Sequence, residues 1–385
     1  MLEKIAEGPA LKKALLKCSK LRALLAIGNS GQIINMIDNE ILPVFDEFFK
    51  TKPDNKDAQT ELVFESWVKT YLILAQALVL QGNNRSFEVL TILFEIIDNN
   101  KIEDELFICN CKLTLALANT MKGNFEVSQK LLTDTLSLSK ENKMDNNTII
   151  LWNFIDVINR FAMKKYDNIQ QDLFQIVTFA NNNGDNFTKN ILKVLLGKYF
   201  KDNNDPKHAM EIYNDLIVYF AKEKMALGAL MTWFMIADVS LVIEGPDSAI
   251  DIASQALEVA QNPKIDNYYF VILLKIVLAK AHIIKSDFES AKIHIETAIK
   301  IAKNFEMKDL LSRLYLMYGK YFQEIGLVKS QKQTQYMNAA FKMYQASAAL
   351  VKQTKNTYVM QNIEKASVVL DAFCRTNNIK LSENR

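Results

Sequence analysis

A small residue recurs every 40 to 42 positions along most of this chain, and this period constrains the fold more than any other sequence feature. The recurring positions are Ala75, Ala116, Val157, Gly197, Ala237, Ala279 and Gly319. After most of them, a turn-forming segment comes two helical turns later, and small or apolar residues then follow at helical spacing. Such a pattern predicts two antiparallel helices per period, touching each other through small side chains.

The clearest copy of the repeat is LAKAHIIKSDFESAKIHIETAI, residues 278–299. Ala279 precedes a turn at Asp287, and Ala291 and Ala298 follow the turn on the second helix. This segment resembles the tetratricopeptide repeat, whose two helices meet through small residues at these offsets. That family favours an aromatic residue four positions earlier, as found here at Tyr71, Trp233 and Tyr315.

The resemblance covers roughly residues 60–350. It implies an all-α fold: a right-handed α-solenoid of about seven antiparallel helix hairpins with atypical end helices. Only 11 Gly and 6 Pro occur in 385 residues, which also argues against a turn-rich β-sandwich.

Four segments are expected along the chain. They are an N-terminal helical cap over 1–58, the repeat array over 59–350, a C-terminal capping helix over 351–376 and a flexible tail over 377–385. We expect Pro43 to break the second helix of the cap. An open array needs a terminal helix with a polar outer face, so the capping helix should expose polar residues.

Composition and charge exclude several classes of protein. The formal net charge of +2 gives no general attraction to nucleic acid or to membranes, and no uninterrupted apolar run reaches the ~18 residues of a membrane span. The N-terminus lacks the apolar stretch and cleavage site of a secretory signal, which predicts a cytoplasmic protein. Four scattered cysteines are too few for a disulfide framework and read as free thiols. Lysines alternate with acidic residues, so a nucleic-acid partner is not expected.

No motif in the sequence carries recognisable chemistry. The three histidines, His208, His282 and His294, have no Cys, His or carboxylate partner at metal-ligand spacing. Gly-rich phosphate-binding loops and a nucleophile elbow are absent from the sequence. We therefore expect no enzyme activity, no catalytic residue, no bound metal and no cofactor.

The resemblance implies that the first helix of each hairpin lines a concave groove. Counting from the small residues then predicts a partner-binding surface of Leu117, Ile158, Phe161, Lys198, Lys201, Asp238, Lys280 and Lys320. The first three positions are apolar and the later ones are mostly basic, which suits a protein or peptide partner with an acidic segment. Asp238 lies in a very apolar helix and needs water or a cation, which Lys198 and Lys280 on either side would supply. The same lysines are equally consistent with a solvated surface.

Two functions fit this sequence. The first is a non-enzymatic scaffold or adaptor whose groove binds a segment of another protein. The alternative is a regulatory sensor or output module, since long-period repeats of this type occur in bacterial regulators that read a small peptide or transmit a phosphorylation signal. The sequence MLEKIAEGPALKKALL is similar to the linker helices that follow receiver domains in such regulators.

Overall fold

The computed structural model describes residues 9–51, 57–140, 144–163, 165, 168–183, 186–328 and 330–381. Within these residues the chain forms helices and turns and contains no strand. Three helices come first: α1 (Pro9–Ala26), α2 (Ser30–Met36) and α3 (Leu42–Thr51). Seven hairpins follow in the described part of the chain: α4 (Ala58–Gln81) with α5 (Arg85–Asn99), α6 (Glu105–Lys122) with α7 (Phe125–Lys140), α8 (Asn146–Met163) with α9 (Ile169–Asn183), α10 (Asn186–Asp202) with α11 (Pro206–Lys222), α12 (Ala226–Ile243) with α13 (Pro246–Ala260), α14 (Tyr268–Ile284) with α15 (Phe288–Asn304), and α16 (Lys308–Val328) with α17 (Gln333–Thr354). The last helix is α18 (Thr357–Thr376).

Short polar side chains set the start of many of these helices. The Asp104 carboxylate accepts the backbone N–H of Phe107 at 3.0 Å, and Asp287 accepts that of Ser290 at 3.2 Å. These bonds satisfy amide groups that have no partner inside the helix. The loops that contain such residues therefore fix where each hairpin begins and turns.

The packing of the hairpins confirms the repeat phase. All seven recurring small positions are buried, each on the first helix of its hairpin. A Cβ atom added at Gly197 would overlap the ring of Tyr213, and one added at Gly319 would overlap the ring of Tyr344. Both rings belong to the second helix of the same hairpin, so the small residue lets an aromatic ring cross directly over the backbone. The predicted all-α solenoid of seven hairpins is confirmed.

Pro43 does not break the second cap helix, contrary to the expectation. A π-helical turn at Ile37–Ile41 joins α2 to α3, and the Leu42 N–H donates to the carbonyl of Ile37. The wider turn accommodates the proline ring, which would clash with the carbonyl four residues earlier in a regular α-helix. The chain therefore stays helical from Ser30 to Thr51.

The superhelix closes on itself along a contact that we call the seam. On one side lie the turn that follows α1 and the hairpin turns after α4 and α6. On the other side lie the connections that lead into α12, α14 and α16. The Ala226 N–H donates to the Ile27 carbonyl at 2.8 Å, and the Asn267 amide donates to the Leu80 carbonyl at 2.7 Å. The buried Lys122 ammonium donates both to Gly82 O, at 3.2 Å, and to the Phe305 carbonyl.

The C-terminal helix differs from the expected cap in one respect. Its inner face is buried through Ile363 and Leu370, but its outer face exposes Val368 and Val369 at 68% and 57%. The rest of the outer face is polar, with Glu364, Lys365, Asp371 and Arg375 exposed, and the helix packs mainly against α17, with further contacts to α8 and α16. Residues 382–385 of the predicted tail lie outside the described residues. The division into four segments stays a prediction.

Two helices, α4 and α12, are long and apolar enough to cross a membrane by length and composition alone. Half of the apolar window in each of them is buried inside the protein. Both are first helices of hairpins and pack against neighbours on several sides, and core helices of that kind meet the same criterion.

Candidate functional site

The inner surface of the superhelix forms a partly open chamber of about 330 Å³. The first helices of hairpins 3 to 7 form its walls, and the turn of hairpin 2 contributes Thr120 and Phe125. The C-terminal helix α18 lies across the chamber with Tyr358, Val359 and Asn362. The predicted open groove is thus covered by the C-terminal helix and has the volume of a small-ligand site.

The structure brings seven of the eight predicted site residues together around this chamber. They are Ile158, Phe161, Lys198, Lys201, Asp238, Lys280 and Lys320. Leu117 is not among the lining residues, because it is half-buried against an apolar cluster that includes Leu132 and Ile155. The lining begins one helical turn later, at Thr120. The role of the eight predicted residues in binding a partner stays a prediction.

Asp238 lies at the centre of the charged side of the chamber. Its carboxylate forms ion pairs with the ammonium groups of Lys201 and, at 3.1 Å, of Lys280. The sequence placed Lys198 beside Asp238, but Lys198 pairs with Asp202 at 2.7 Å and lies over the rings of Phe161 and Tyr358. The apolar helix around Asp238 is therefore tolerated because two cations from the adjacent hairpins reach its carboxylate.

Sequence reasoning missed the contribution of two side chains. Arg313 lines the chamber and donates from Nε to the buried Asp309 carboxylate at 2.9 Å. Tyr358 reaches the chamber from α18, which lies outside the repeat. The sequence held a signal for Arg313, because this residue lies six positions before Gly319, the small residue of its hairpin. Met231 and Leu273 occupy the same place in their hairpins and also line the chamber.

The chamber holds more positive than negative charge. Its lining contains five cations, Lys198, Lys201, Lys280, Lys320 and Arg313, and three carboxylates, Asp202, Asp238 and Asp309. Two positive charges are therefore left without an acidic counterpart in the lining. In the described part of the chain, no carboxylate lies within ion-pair distance of the Lys320 ammonium.

These cations also disfavour one another's charge. Burial lowers the pKa of Lys201, and the ammonium groups of Lys280 and Lys198 lower it further, while the Asp202 carboxylate acts in the opposite direction. Burial lowers the pKa of Lys320 as well, and Lys280 adds to this effect, while the Glu324 carboxylate acts in the opposite direction. A bound anion would relieve this repulsion, which makes the Lys280 and Lys320 side of the chamber an anion-attracting surface.

Apolar side chains form the rest of the chamber. Phe161, Met231, Phe234, Met317 and Tyr358 supply rings and flexible thioethers. Such a surface can bury an apolar side chain of a ligand while the cations contact its charged group. The lining contains no histidine or cysteine, and within the described residues no group of three or more His, Cys, Asp or Glu side chains is arranged to hold a metal ion.

The fold is shared with a solved structure described as the crystal structure of Rap protein complexed with competence and sporulation factor. The two superpose with a TM-score of 0.57 at 10% sequence identity, over 94% of this chain and 99% of that chain. No family model matches the sequence, and no curated protein does. The similarity shows that this chain has a tetratricopeptide-like helical-repeat fold over almost its whole length.

Proposed function

We propose that this chain is a non-enzymatic, cytoplasmic interaction protein that binds a short acidic peptide, or a short exposed segment of a partner protein, inside the chamber. The observation that supports this proposal best is the excess of positive charge beside an apolar wall in one partly open chamber. A carboxylate near Lys280 and Lys320 would gain charge-assisted hydrogen bonds, and an adjacent apolar side chain would pack on Phe234 and Met317.

The size of the chamber limits the length of the segment that it can bind, compared with the concave groove expected from the sequence. Because α18 covers the concave surface, a long helix has no straight path along it, whereas a few residues of peptide suit a volume of about 330 Å³. Hydrogen bonds from Tyr358 and Asn362 would then come from the covering helix itself.

The alternative function is a regulatory sensor, in which the bound peptide changes the affinity for a second protein. The solved Rap structure supports this alternative, because that protein is complexed with competence and sporulation factor and aligns with 94% of this chain. A sensor also needs two conformations that the ligand distinguishes. Small-angle scattering with and without saturating peptide would separate the two functions, since a plain adaptor shows no change in radius of gyration.

Calorimetric titration with short peptides tests the binding itself. A library of four- to six-residue peptides, with acidic, amidated and lysine-substituted versions of each sequence, should contain binders only among those with a carboxylate and an apolar residue. In the best binder, loss of one charge-assisted hydrogen bond should weaken affinity about tenfold.

The variant that tests the site is Lys320→Glu, with Lys352→Glu as its matched control. Lys352 is exposed on α17, away from the chamber lining, so both variants change the net charge equally. Replacing Lys198 and Lys280 as well would place acidic groups against Asp202 and Asp238 and disturb the fold. Equal binding by wild type and Lys320→Glu, or equal losses in both variants, would remove the chamber from consideration as the site.

A further inference from the structure

The three carboxylates of the chamber do not share its five cations equally. Two of the carboxylates each pair with one cation, and both of these pairs are neutral. Asp238 instead contacts the ammonium groups of both Lys201 and Lys280, so these three side chains together keep one positive charge. The second unmatched charge is the ammonium group of Lys320, which has no carboxylate within ion-pair distance among the described residues.

The two unmatched charges lie on neighbouring helices. Lys280 follows Ala279 on α14 and Lys320 follows Gly319 on α16, so the two lysines occupy equivalent positions of hairpins 6 and 7, and these helices are in contact. Burial lowers the pKa of Lys320, and the charge of Lys280 lowers it further, which shows that the two ammonium groups repel each other. Glu324 opposes this effect, but it is exposed, lies outside the chamber lining and forms no ion pair with Lys320.

Arg313 adds directional donors to this pair of lysines. Burial lowers the pKa of Lys280; Tyr358 acts in the opposite direction, and the charge of Arg313 lowers the pKa further. The guanidinium donates from Nε to Asp309, and in the described part of the chain its two Nη atoms have no hydrogen-bond acceptor. Two ammonium groups and a guanidinium with unused N–H groups can together donate to three oxygens of one anion.

We propose that the anionic group bound in the chamber is a phosphomonoester dianion, carried by a phosphorylated side chain of the bound peptide. This inference rests on the proposed function, because it identifies the charged group of the same peptide. A phosphorylated side chain carries a charge of about −1.5 to −2 at pH 7 and three acceptor oxygens, so one group matches both unmatched cations at one place. A single carboxylate carries half that charge, and two carboxylates would repel each other there.

The apolar part of the lining favours an organic phosphate over inorganic phosphate. Phe234 lies on α12 and Met317 on α16, and both side chains line the same chamber as Lys280 and Lys320. A volume of about 330 Å³ exceeds what one phosphoryl group fills, so the organic part of the ester has room to pack against these two side chains. Inorganic phosphate supplies the charge but leaves that apolar surface uncovered.

Calorimetric titration of the full chain with two small esters tests the charge requirement. Phenyl phosphate and phenyl sulfate have nearly the same shape, but the sulfate carries a single negative charge. At about pH 7.5, phenyl phosphate should bind about tenfold more tightly or better, because it engages one more cation. The ratio of the two affinities should fall toward one at about pH 5, since a phosphomonoester takes up its second proton near pH 6. Titration of the chamber lysines affects both esters and cancels in the ratio.

Lys320→Gln removes one of the two unmatched charges and therefore tests the place of binding. This variant should bind phenyl phosphate and phenyl sulfate with nearly equal affinity, because a single unmatched cation remains. Lys352→Gln is the matched control, since Lys352 is exposed on α17 outside the chamber lining, and it should keep the wild-type preference for the phosphate. Circular dichroism verifies that both variants keep the helical content of wild type.

A capped pentapeptide with leucine on both sides of a central phosphoserine tests whether a peptide carries the phosphoryl group. It should bind about tenfold more tightly than its glutamate version, and the serine version should not bind. Equal affinities of wild type for the two phenyl esters, or a preference for phosphate that Lys320→Gln retains, overturn the proposal. The proposed function survives either result if the glutamate peptide still binds in the chamber, and both fail if no peptide binds. Binding of phenyl phosphate without the phosphoserine peptide overturns the assignment of the phosphate to a peptide.

Discussion

The hairpin turns of the two halves of this molecule share a backbone conformation but not their surroundings. In the first half, Gly28, Gly82 and Gly123 adopt positive φ angles of 84° to 85°, and all three lie in the seam. In the second half, Asn204 and Ser286 adopt φ angles of 62° and 60° at turns that face solvent. A left-handed residue can therefore be polar where nothing approaches, whereas a Cβ atom added at Gly28, Gly82 or Gly123 would overlap the opposite side of the seam.

The seam also differs in chemistry from the hairpin crossings. Within hairpins, alanine and glycine meet rings and branched side chains in an apolar core. Across the seam, Lys122, Asn267 and Gln81 donate hydrogen bonds to carbonyl and carboxylate oxygens. Hydrogen bonds contribute only about 0.5–1.5 kcal/mol each, so closure is weaker than the hairpins that it joins. Substitutions in the two regions should consequently produce different failures.

The largest effect is expected at Gly28. A Cβ atom there would lie 2.7 Å from the Leu227 backbone nitrogen, which cannot move aside as a side chain can. Gly28→Ala should therefore lower the free energy of unfolding by about 3 kcal/mol, because left-handed strain and overpacking act together. It should also open the seam. Urea unfolding and the radius of gyration from small-angle scattering measure the two consequences.

Gly245→Ala is the control for that prediction. Gly245 has a φ of 103° with no atom within 4 Å of an added Cβ, so the variant suffers backbone strain alone. Its free energy of unfolding should fall by about 1–3 kcal/mol, and its radius of gyration should stay unchanged. If Gly28→Ala remained as compact as Gly245→Ala, the comparison between docked and exposed turns would be wrong.

The next effect is a pH dependence that arises in the seam. Burial lowers the pKa of Lys122 to about 8, with Glu306 acting weakly in the opposite direction. The unfolded chain, with a lysine pKa of about 10.4, binds more protons between these two values, so stability should rise with pH across that window and fall as the pH drops through about 8. Relative to Lys122→Met, wild type should gain on the order of 1 kcal/mol from about pH 7 to about pH 10. Parallel unfolding curves for the two proteins over this range would contradict the assignment.

The smallest change in stability is expected at Ser286, whose turn faces solvent. Ser286→Gly relieves left-handed strain but raises the conformational entropy of the unfolded chain, and the two contributions to stability nearly cancel. Its stability should stay within about 0.5 kcal/mol of wild type, with an unchanged radius of gyration. A loss above about 1 kcal/mol in thermal unfolding would show that the serine side chain makes a contact of its own.

Periodicity predicted the parts of this structure that repeat. The burial of Ala279 and Gly319, and the convergence of Lys201, Asp238 and Lys280, all follow from one phase of 40 to 42 residues. Each of those positions interacts within its own hairpin or with the adjacent one, so a local pattern contains the information.

Neither the seam nor the position of α18 over the chamber could be predicted from the periodicity. Seam contacts such as that between Lys122 and Phe305 join residues 183 positions apart. Their polar side chains at helix ends resemble ordinary surface residues, and burial is decided only by how far the superhelix turns. Tyr358 enters the chamber from a helix without a repeat, and Leu117 failed because the lining starts one turn later in its helix.

The seam also fixes how many hairpins this protein can contain. In an open solenoid each unit contacts only its neighbours, so copies can be gained or lost by duplication or deletion. Here Ile27 must meet Ala226, Leu80 must meet Asn267 and Lys122 must meet Phe305, each pair separated by nearly the same length of chain. Adding or removing one hairpin between them would shift every pair by a whole period and leave Lys122 buried without its carbonyl partner. Tandem duplication, the usual route by which repeat arrays change in length, is therefore closed to this chain unless the seam is lost.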